Sequence, residues 1–168
     1  MPHLVDHRST SPYRADEVYA AMVDPEYLRA RLAQIGGARP ELLDHHADEQ
    51  GAHYRLRHGL DAKDLPSLLR GVLPGDITVE RDESWTRVDR GRYTGETKVS
   101  VAGTPASAAG GMRLNDTDGG GSELRVRIDV TVNVPVIGGR IESFVVGQVQ
   151  SLLEMESRFL QEWLAKTR

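Results

Sequence analysis

The stretch that decides the fold is ELRVRIDVTVNV, residues 123–134, followed directly by PVIGGRIE, residues 135–142. In the first segment polar and apolar residues alternate, and this period of two predicts a long β-strand with one face buried. The second segment changes to helical spacing, which continues to residue 166. A long antiparallel strand leading into one long terminal helix indicates a curved sheet wrapped around that helix. Such a fold usually encloses a cavity, which suggests binding of an apolar molecule.

Composition is that of an ordinary globular protein. The 168 residues contain 39% hydrophobic and 27% charged residues, so we expect a single domain over residues 1–168 with a substantial core. The formal net charge is −4. Binding to nucleic acid needs a basic face that neutralises phosphates, and we therefore expect no nucleic-acid partner.

The chain contains no cysteine, which excludes disulfides and thiolate metal sites. Residues 1–7 lack a basic region followed by an apolar run, so we expect no signal peptide. No stretch is long and apolar enough to span a bilayer. These features predict a cytoplasmic protein without integral membrane association.

The remaining patterns predict one strand, two helices and about six further strands before the terminal helix. The helices are expected from residues 15 and 25, the second with Asp24 as N-cap and Pro25 at its first position. A short helix over residues 64–73 would lie between strands and flank the entrance of a cavity. The predicted strands cover residues 3–10, 40–47, 53–60, 77–88, 91–102, 104–114 and 123–134. Successive strands with short turns indicate an antiparallel meander.

The terminal helix has an unusually wide apolar arc. At 100° per residue, the apolar side chains of residues 139–166 cover about 200°, more than the stripe of a surface helix. Glu156 lies near the centre of this arc. It either pairs with a strand arginine, or reaches solvent near the helix end, or makes a polar contact inside a cavity. Gln148 also interrupts the arc, and either backbone or ligand could satisfy its amide.

Four short motifs stand out along the chain: VPVIGGRIESF at 134–144, DPEY at 24–27, LPGD at 73–76 and ERDESW at 80–85. They resemble motifs of an uncharacterised, largely actinobacterial family of START-like (SRPBCC) proteins. The resemblance implies an α+β helix-grip fold: a curved antiparallel sheet of about seven strands around a long C-terminal helix, with two short helices after the first strand. Polyketide cyclases and pollen-allergen-type carriers share this fold and bind apolar ligands between sheet and helix. The resemblance supplies no catalytic motif and no cofactor.

We therefore expect binding of a small apolar molecule, such as a lipid or a polyketide-like compound, between the sheet and the terminal helix. Two alternatives stay open: a cyclase or dehydratase that uses His58 or Glu156 as acid or base, and an interaction module with a filled core. Ligand identity and oligomeric state are not predicted. The expected ligand-binding residues are Tyr54, His58, Trp85, Tyr93, Phe144, Gln148 and Leu152.

Three further patterns allow more than one interpretation. His58 is either a hydrogen-bonded core residue or a cavity donor or base. Arg81 and Glu83 either pair within the sheet or, as we favour, a β-bulge turns them to water. The small residues at 106–111 form either a weak edge strand or a space for a ligand or partner.

The histidines near residue 50 do not predict a metal site. His45, His46 and His53 lie near Asp48 in the sequence. Adjacent residues on a strand point to opposite faces, so these groups would not assemble the ligand set that zinc requires.

Overall fold

The computed structural model describes residues 3–61, 63, 76–102, 104–133 and 138–167. The helices are α1 (Ala15–Met22), α2 (Pro25–Ile35) and α3 (Gly138–Lys166). The predicted helix over residues 64–73 lies outside the described residues. The strands are β1 (His3–Ser11), β2 (Glu41–Ala47), β3 (Gly51–Leu60), β4 (Ile77–Asp89), β5 (Arg92–Val101), β6 (Ala106–Asp116) and β7 (Ser122–Val132).

The strands form a seven-stranded sheet in the order β1-β7-β6-β5-β4-β3-β2. Every neighbouring pair is antiparallel. Strands β2 to β7 follow one another as a meander, and β1 joins the far edge beside β7. The predicted curved sheet, the two short helices after the first strand and the long terminal helix are confirmed.

Strand β6 is an interior strand, so the interpretation of the small residues at 106–111 as an edge strand is wrong. It pairs with β5 on one side and with β7 on the other along nearly its whole length. Glycine and alanine are tolerated there because both ladders hold the backbone. The edges of the sheet are β1 and β2.

The two short helices begin in different ways. Helix α2 starts as predicted: the Asp24 side chain accepts a hydrogen bond from the Glu26 backbone N–H at 2.9 Å, and proline occupies the first turn. Helix α1 follows Arg14, whose side chain makes no capping hydrogen bond. Instead the backbone N–H of Ala15 donates to Asp116 Oδ1 at 2.7 Å. A carboxylate at the end of β6 therefore satisfies a donor at the start of α1.

The core lies between one face of the sheet and the helices α1, α2 and α3. Helix α3 contacts β1, β7 and both short helices. Buried members from each layer include Leu28 on α2, Leu56 on β3, Leu114 on β6, Val130 on β7 and Leu160 on α3. Of the helices in the described part of the chain, none has the length and apolarity needed to cross a bilayer.

Two adjacent glycines on β6 allow a matched test of the sheet. A Cβ atom on Gly110 would lie 1.8 Å from the Arg127 carbonyl oxygen, whereas one on Gly111 would lie 3.8 Å from the Gly95 carbonyl oxygen. Gly110→Ala should lower the free energy of unfolding by more than about 1 kcal/mol, because backbone must move. Gly111→Ala should leave it unchanged or raise it by up to about 1 kcal/mol, because alanine loses less conformational entropy. Urea unfolding measures the free energy of unfolding of both variants. An equal decrease in the two variants would contradict this account.

Candidate functional site

A cavity of about 350 Å³ lies between the sheet and the helices α2 and α3. Its wall is mostly apolar. The sheet contributes Val79, Val99 and Ala108, and α3 contributes Phe144, Val145 and Leu152. The wide apolar arc of α3 therefore serves two purposes: part of it packs in the core and part of it faces empty space.

Six of the seven residues expected at a ligand site line this cavity. They are Tyr54, His58, Trp85, Phe144, Gln148 and Leu152. Tyr93 is not among the described lining residues. Its hydroxyl donates to Asp16 Oδ1 at 2.5 Å, and its ring stacks on Tyr19 with the centroids 4.0 Å apart. Tyr93 therefore ties β5 to α1 and is not placed to contact a molecule in the cavity.

The cavity reaches solvent beside α3. Gln148 and Met155 both line it and are both exposed. The cavity is also lined by Gly36, Gly37 and Gly59, where α2 ends against β3. There the Gly59 backbone N–H donates to the Gly36 carbonyl at 3.0 Å, and the Ala38 N–H donates to the Gly59 carbonyl at 3.2 Å. These backbone hydrogen bonds fix the end of α2 to the sheet.

A buried ion cluster stands in the cavity wall, with Arg81 at its centre. Arg81 Nη1 donates to Glu156 Oε2 at 2.6 Å, and Nη2 donates to Glu83 Oε2 at 2.8 Å. All three residues are buried. The predicted pairing of Glu156 with a strand arginine is confirmed. Residues on β4 and on α3 are thereby joined inside the protein.

The favoured interpretation of Arg81 and Glu83, that a bulge turns them to water, is wrong. The ladders of β4 with β3 and with β5 are regular at both residues, and the shift in register occurs between Arg87 and Asp89. With regular pairing, Arg81 and Glu83 share the inward face with Trp85. Mutual pairing makes their burial tolerable.

Glu83 has further partners that complete its hydrogen bonding. Thr97 Oγ1 donates to Glu83 Oε2 at 3.1 Å, and the Tyr54 hydroxyl donates to Glu83 Oε1 at 3.0 Å. The Trp85 indole N–H in turn donates to the Tyr54 oxygen at 3.2 Å. Strands β3, β4 and β5 thus share one network around a single carboxylate.

Arg31 on α2 is the fourth charged member of the buried ion cluster, and it was not predicted from the sequence. Its Nε atom lies 3.6 Å from Glu156 Oε2, and its guanidinium carbon lies 5.7 Å from the centre of the Tyr27 ring. A signal was present in the sequence: Arg31 follows Tyr27 by four residues and precedes Ile35 by four, so it falls on the apolar face of α2. An arginine in that position needs a buried partner.

At neutral pH all four side chains of the cluster are ionised, and their positive and negative charges cancel. Burial alone would raise the pKa of Glu156, but the charges of Arg31 and Arg81 outweigh it and lower that pKa to about 2. The pKa of Glu83 is lowered in the same way, against burial, chiefly by Arg81. Two arginines therefore face two carboxylates. Glu156 holds its charge too firmly to serve as a general acid or base near pH 7.

His58 stays neutral beside these charges. Burial, followed by the positive charge of Arg81, lowers its pKa to about 4. Its Nε2 atom is buried and has no hydrogen-bond partner among the residues that the structure describes. His58 therefore lies in the cavity wall with its Nε2 atom available to a bound molecule.

The other histidines near residue 50 have separate partners. His45 Nε2 lies 2.6 Å from the Val23 carbonyl oxygen, His53 Nε2 lies 2.9 Å from Asp82 Oδ1, and His46 lies 3.5 Å from Asp48. Within the residues that the structure describes, no group of three or more His, Cys, Asp or Glu side chains could hold a metal ion.

A family model described as "Protein of unknown function (DUF2505)" matches residues 6–164. The chain belongs to this family. An uncharacterized protein of Mycobacterium tuberculosis is 26% identical over 170 residues, which cover 98% of each chain. The predicted resemblance to an uncharacterised, actinobacterial START-like family is confirmed.

Solved structures share the fold at low sequence identity. A START superfamily protein from Mycobacterium smegmatis is 13% identical with a TM-score of 0.57, over 99% of both chains. The Zhui aromatase/cyclase from a Streptomyces species is 15% identical with a TM-score of 0.58, over 100% of this chain and 97% of the other. Norcoclaurine synthase from Thalictrum flavum, solved with dopamine and hydroxybenzaldehyde, is 14% identical with a TM-score of 0.55. The match covers 96% of this chain and 88% of the other.

The lowered pKa of His58 predicts a loss of stability in mild acid. Between pH 6.5, its ordinary pKa, and about 4, its pKa in the fold, the unfolded chain binds a proton that the folded protein does not. The free energy of unfolding should therefore fall by up to about 3 kcal/mol across this window. From pH 4.5 towards 2, the unfolded chain binds a proton at Glu156 that the folded protein does not, which should remove further stability.

Urea unfolding across this pH range tests the assignment to His58. His58→Phe should reduce the fall between pH 6.5 and about 4, because the unfolded chain no longer takes up that proton. His46→Phe is the control, since the His46 side chain is 75% exposed. In this variant the free energy of unfolding should change with pH as it does in the unmodified protein. If the same pH dependence is found for His58→Phe, the assignment is wrong.

Proposed function

We propose that this protein binds a small, largely apolar molecule in the cavity between the sheet and α3. The observation that carries the proposal is the cavity itself, about 350 Å³ with a mostly apolar wall. Small-molecule sites commonly enclose about 300–1,000 Å³ and combine apolar walls with a few polar groups. Removing apolar ligand surface from water at ~25 cal/mol per Å² would drive binding.

The size of the cavity favours a compact ligand. At about 350 Å³ it lies near the lower end of the usual range. A single-chain lipid or a small polycyclic, polyketide-like compound suits this volume better than a lipid with two chains. Contact residues in this proposal are Tyr54, His58, Trp85, Phe144, Gln148 and Leu152.

The structural neighbours support a binding role. One of them is named an aromatase/cyclase, and another was solved with dopamine and hydroxybenzaldehyde. Both have this fold at low identity, so they support the kind of site and not a particular ligand. The open cavity also favours a binding protein over an interaction module with a filled core.

The ionisation of the two candidate acid–base groups favours binding over catalysis. Glu156 is paired with Arg81 and has a pKa of about 2, so it neither takes nor gives a proton near pH 7. His58, with a pKa of about 4, is a weak base. General acid–base catalysis works best with a pKa near the working pH, and neither group meets that condition.

Filling the cavity tests the proposal. Leu152 lies in the wall, and Ser151, the residue before it on α3, is exposed. Leu152→Trp should occupy the space and weaken binding of the apolar dye Nile red at least about tenfold, or about 1.4 kcal/mol. Fluorescence titration measures the dissociation constant.

Ser151→Trp is the matched control, because it adds the same side chain on the solvent side of the helix. It should bind the dye like the unmodified protein. Thermal unfolding of both variants checks that they fold. Equal affinity of the folded Leu152→Trp variant and the unmodified protein would contradict this site.

A further inference from the structure

Unsatisfied nitrogen atoms concentrate in the polar part of the cavity wall. Within the described residues, Arg31 Nε, Arg31 Nη2 and His58 Nε2 are buried without hydrogen-bond partners. Arg31 is 6% exposed and His58 is 8% exposed, and both residues line the cavity. Buried polar groups are nearly always hydrogen-bonded, so each such exception calls for a missing partner. Three of the six such atoms in the described residues lie beside this cavity, whereas Tyr19 Oη, Arg57 Nε and Ser122 Oγ belong to residues outside its lining.

The partner must accept hydrogen bonds. An arginine side chain carries only donors, and the neutral imidazole of His58 can donate or accept at Nε2 according to its tautomer. Arg31 Nε lies 3.6 Å from Glu156 Oε2, which is beyond hydrogen-bond distance. An oxygen atom that enters beside this gap could accept from Arg31. A hydroxyl group could in addition donate to Glu156.

The charge balance of the cluster selects among acceptors. Arg31 and Arg81 carry two positive charges, and Glu83 and Glu156 carry two negative charges in contact with them. His58 adds none. A carboxylate or an ammonium group entering this site would lose its hydration and find no net charge to compensate it. An uncharged polar group escapes that cost.

We propose that the ligand presents an uncharged oxygen, a carbonyl or a hydroxyl, to Arg31 and His58, and that the site discriminates against carboxylates and amines of the same size. This inference rests on the proposed function and adds the chemical class of the polar end. The apolar part of the ligand would lie along α3, with its oxygen towards the ion cluster.

A series of ten-carbon compounds tests the charge preference. Decanol, decanoate and decylammonium are compared at pH 7 by displacement of Nile red from the unmodified protein. Decanol should bind at least about tenfold more tightly than either ion, since each ion leaves a buried charge unpaired. Decanoate or decylammonium binding as tightly as decanol would overturn the inference but leave the proposed function intact. If no member of the series binds and Nile red binding is also absent, both fail.

Changing the charge of the cluster should change the preference. Glu83→Gln gives the cluster a net positive charge, while Arg81 keeps Glu156 as a partner. The affinity for decanoate, divided by the affinity for decanol, should therefore rise at least about tenfold. Glu80→Gln is the matched control: it makes the same charge change on the same strand, but Glu80 pairs with Arg55 and Arg57 outside the cavity. Glu80→Gln should leave the ratio of decanoate affinity to decanol affinity unchanged. If this ratio is the same in both variants, the charge balance does not select the ligand.

The role of Arg31 as donor has its own test. Arg31→Met keeps most of the side-chain length and removes the N–H groups. Decanol affinity should fall at least about fivefold, by roughly 1 kcal/mol, whereas affinity for undecane, a hydrocarbon with the same number of heavy atoms, should not fall. Equal losses for both compounds would show that Arg31 donates no hydrogen bond to the decanol oxygen, and would overturn the inference.

Discussion

Arg81 connects the sheet to the terminal helix through ion pairs inside the protein. Its guanidinium contacts Glu83 on its own strand at 2.8 Å and Glu156 on α3 at 2.6 Å. A buried charge that loses its partner costs several kcal/mol. Helix α3 therefore cannot slide or rotate on the sheet by one residue without breaking the ion pair between Arg81 and Glu156. Apolar contacts alone would tolerate such shifts more easily, because they have no direction.

The cavity exists because this cluster holds α3 in place while small residues line part of the sheet beneath it. Ala106 and Ala108 on β6 face the space, and Phe144 and Leu152 on α3 form its other side. Larger side chains on β6 would fill the volume and give a conventional core. The ion cluster forms the remaining wall, so the apolar surface of the cavity contains one region of charged groups with no net charge.

Local patterns in the sequence predicted the elements well but not their partners. The alternation at residues 123–134 and the cap formed by Asp24 depend on neighbouring residues, so they could be recognised from the sequence. The position of β6 between β5 and β7, and the burial of Arg81, depend on contacts between residues far apart in the chain. Glu156 was recognisable because it interrupted an apolar arc, but which arginine it meets is set by how the helix lies on the sheet.

In the described part of the chain, three of the six buried side-chain atoms without a hydrogen-bond partner lie in the wall of the cavity, beside the void itself. Among the described residues, an imidazole without a hydrogen bond at Nε2, an arginine with two unpartnered nitrogens and a void beneath a helix each reduce stability. Scattered through the fold, they would be independent imperfections. Gathered at one wall, they are costs that a single bound molecule could offset by filling the void and satisfying the nitrogens. Natural sequences keep such locally unfavourable arrangements mainly where function requires them.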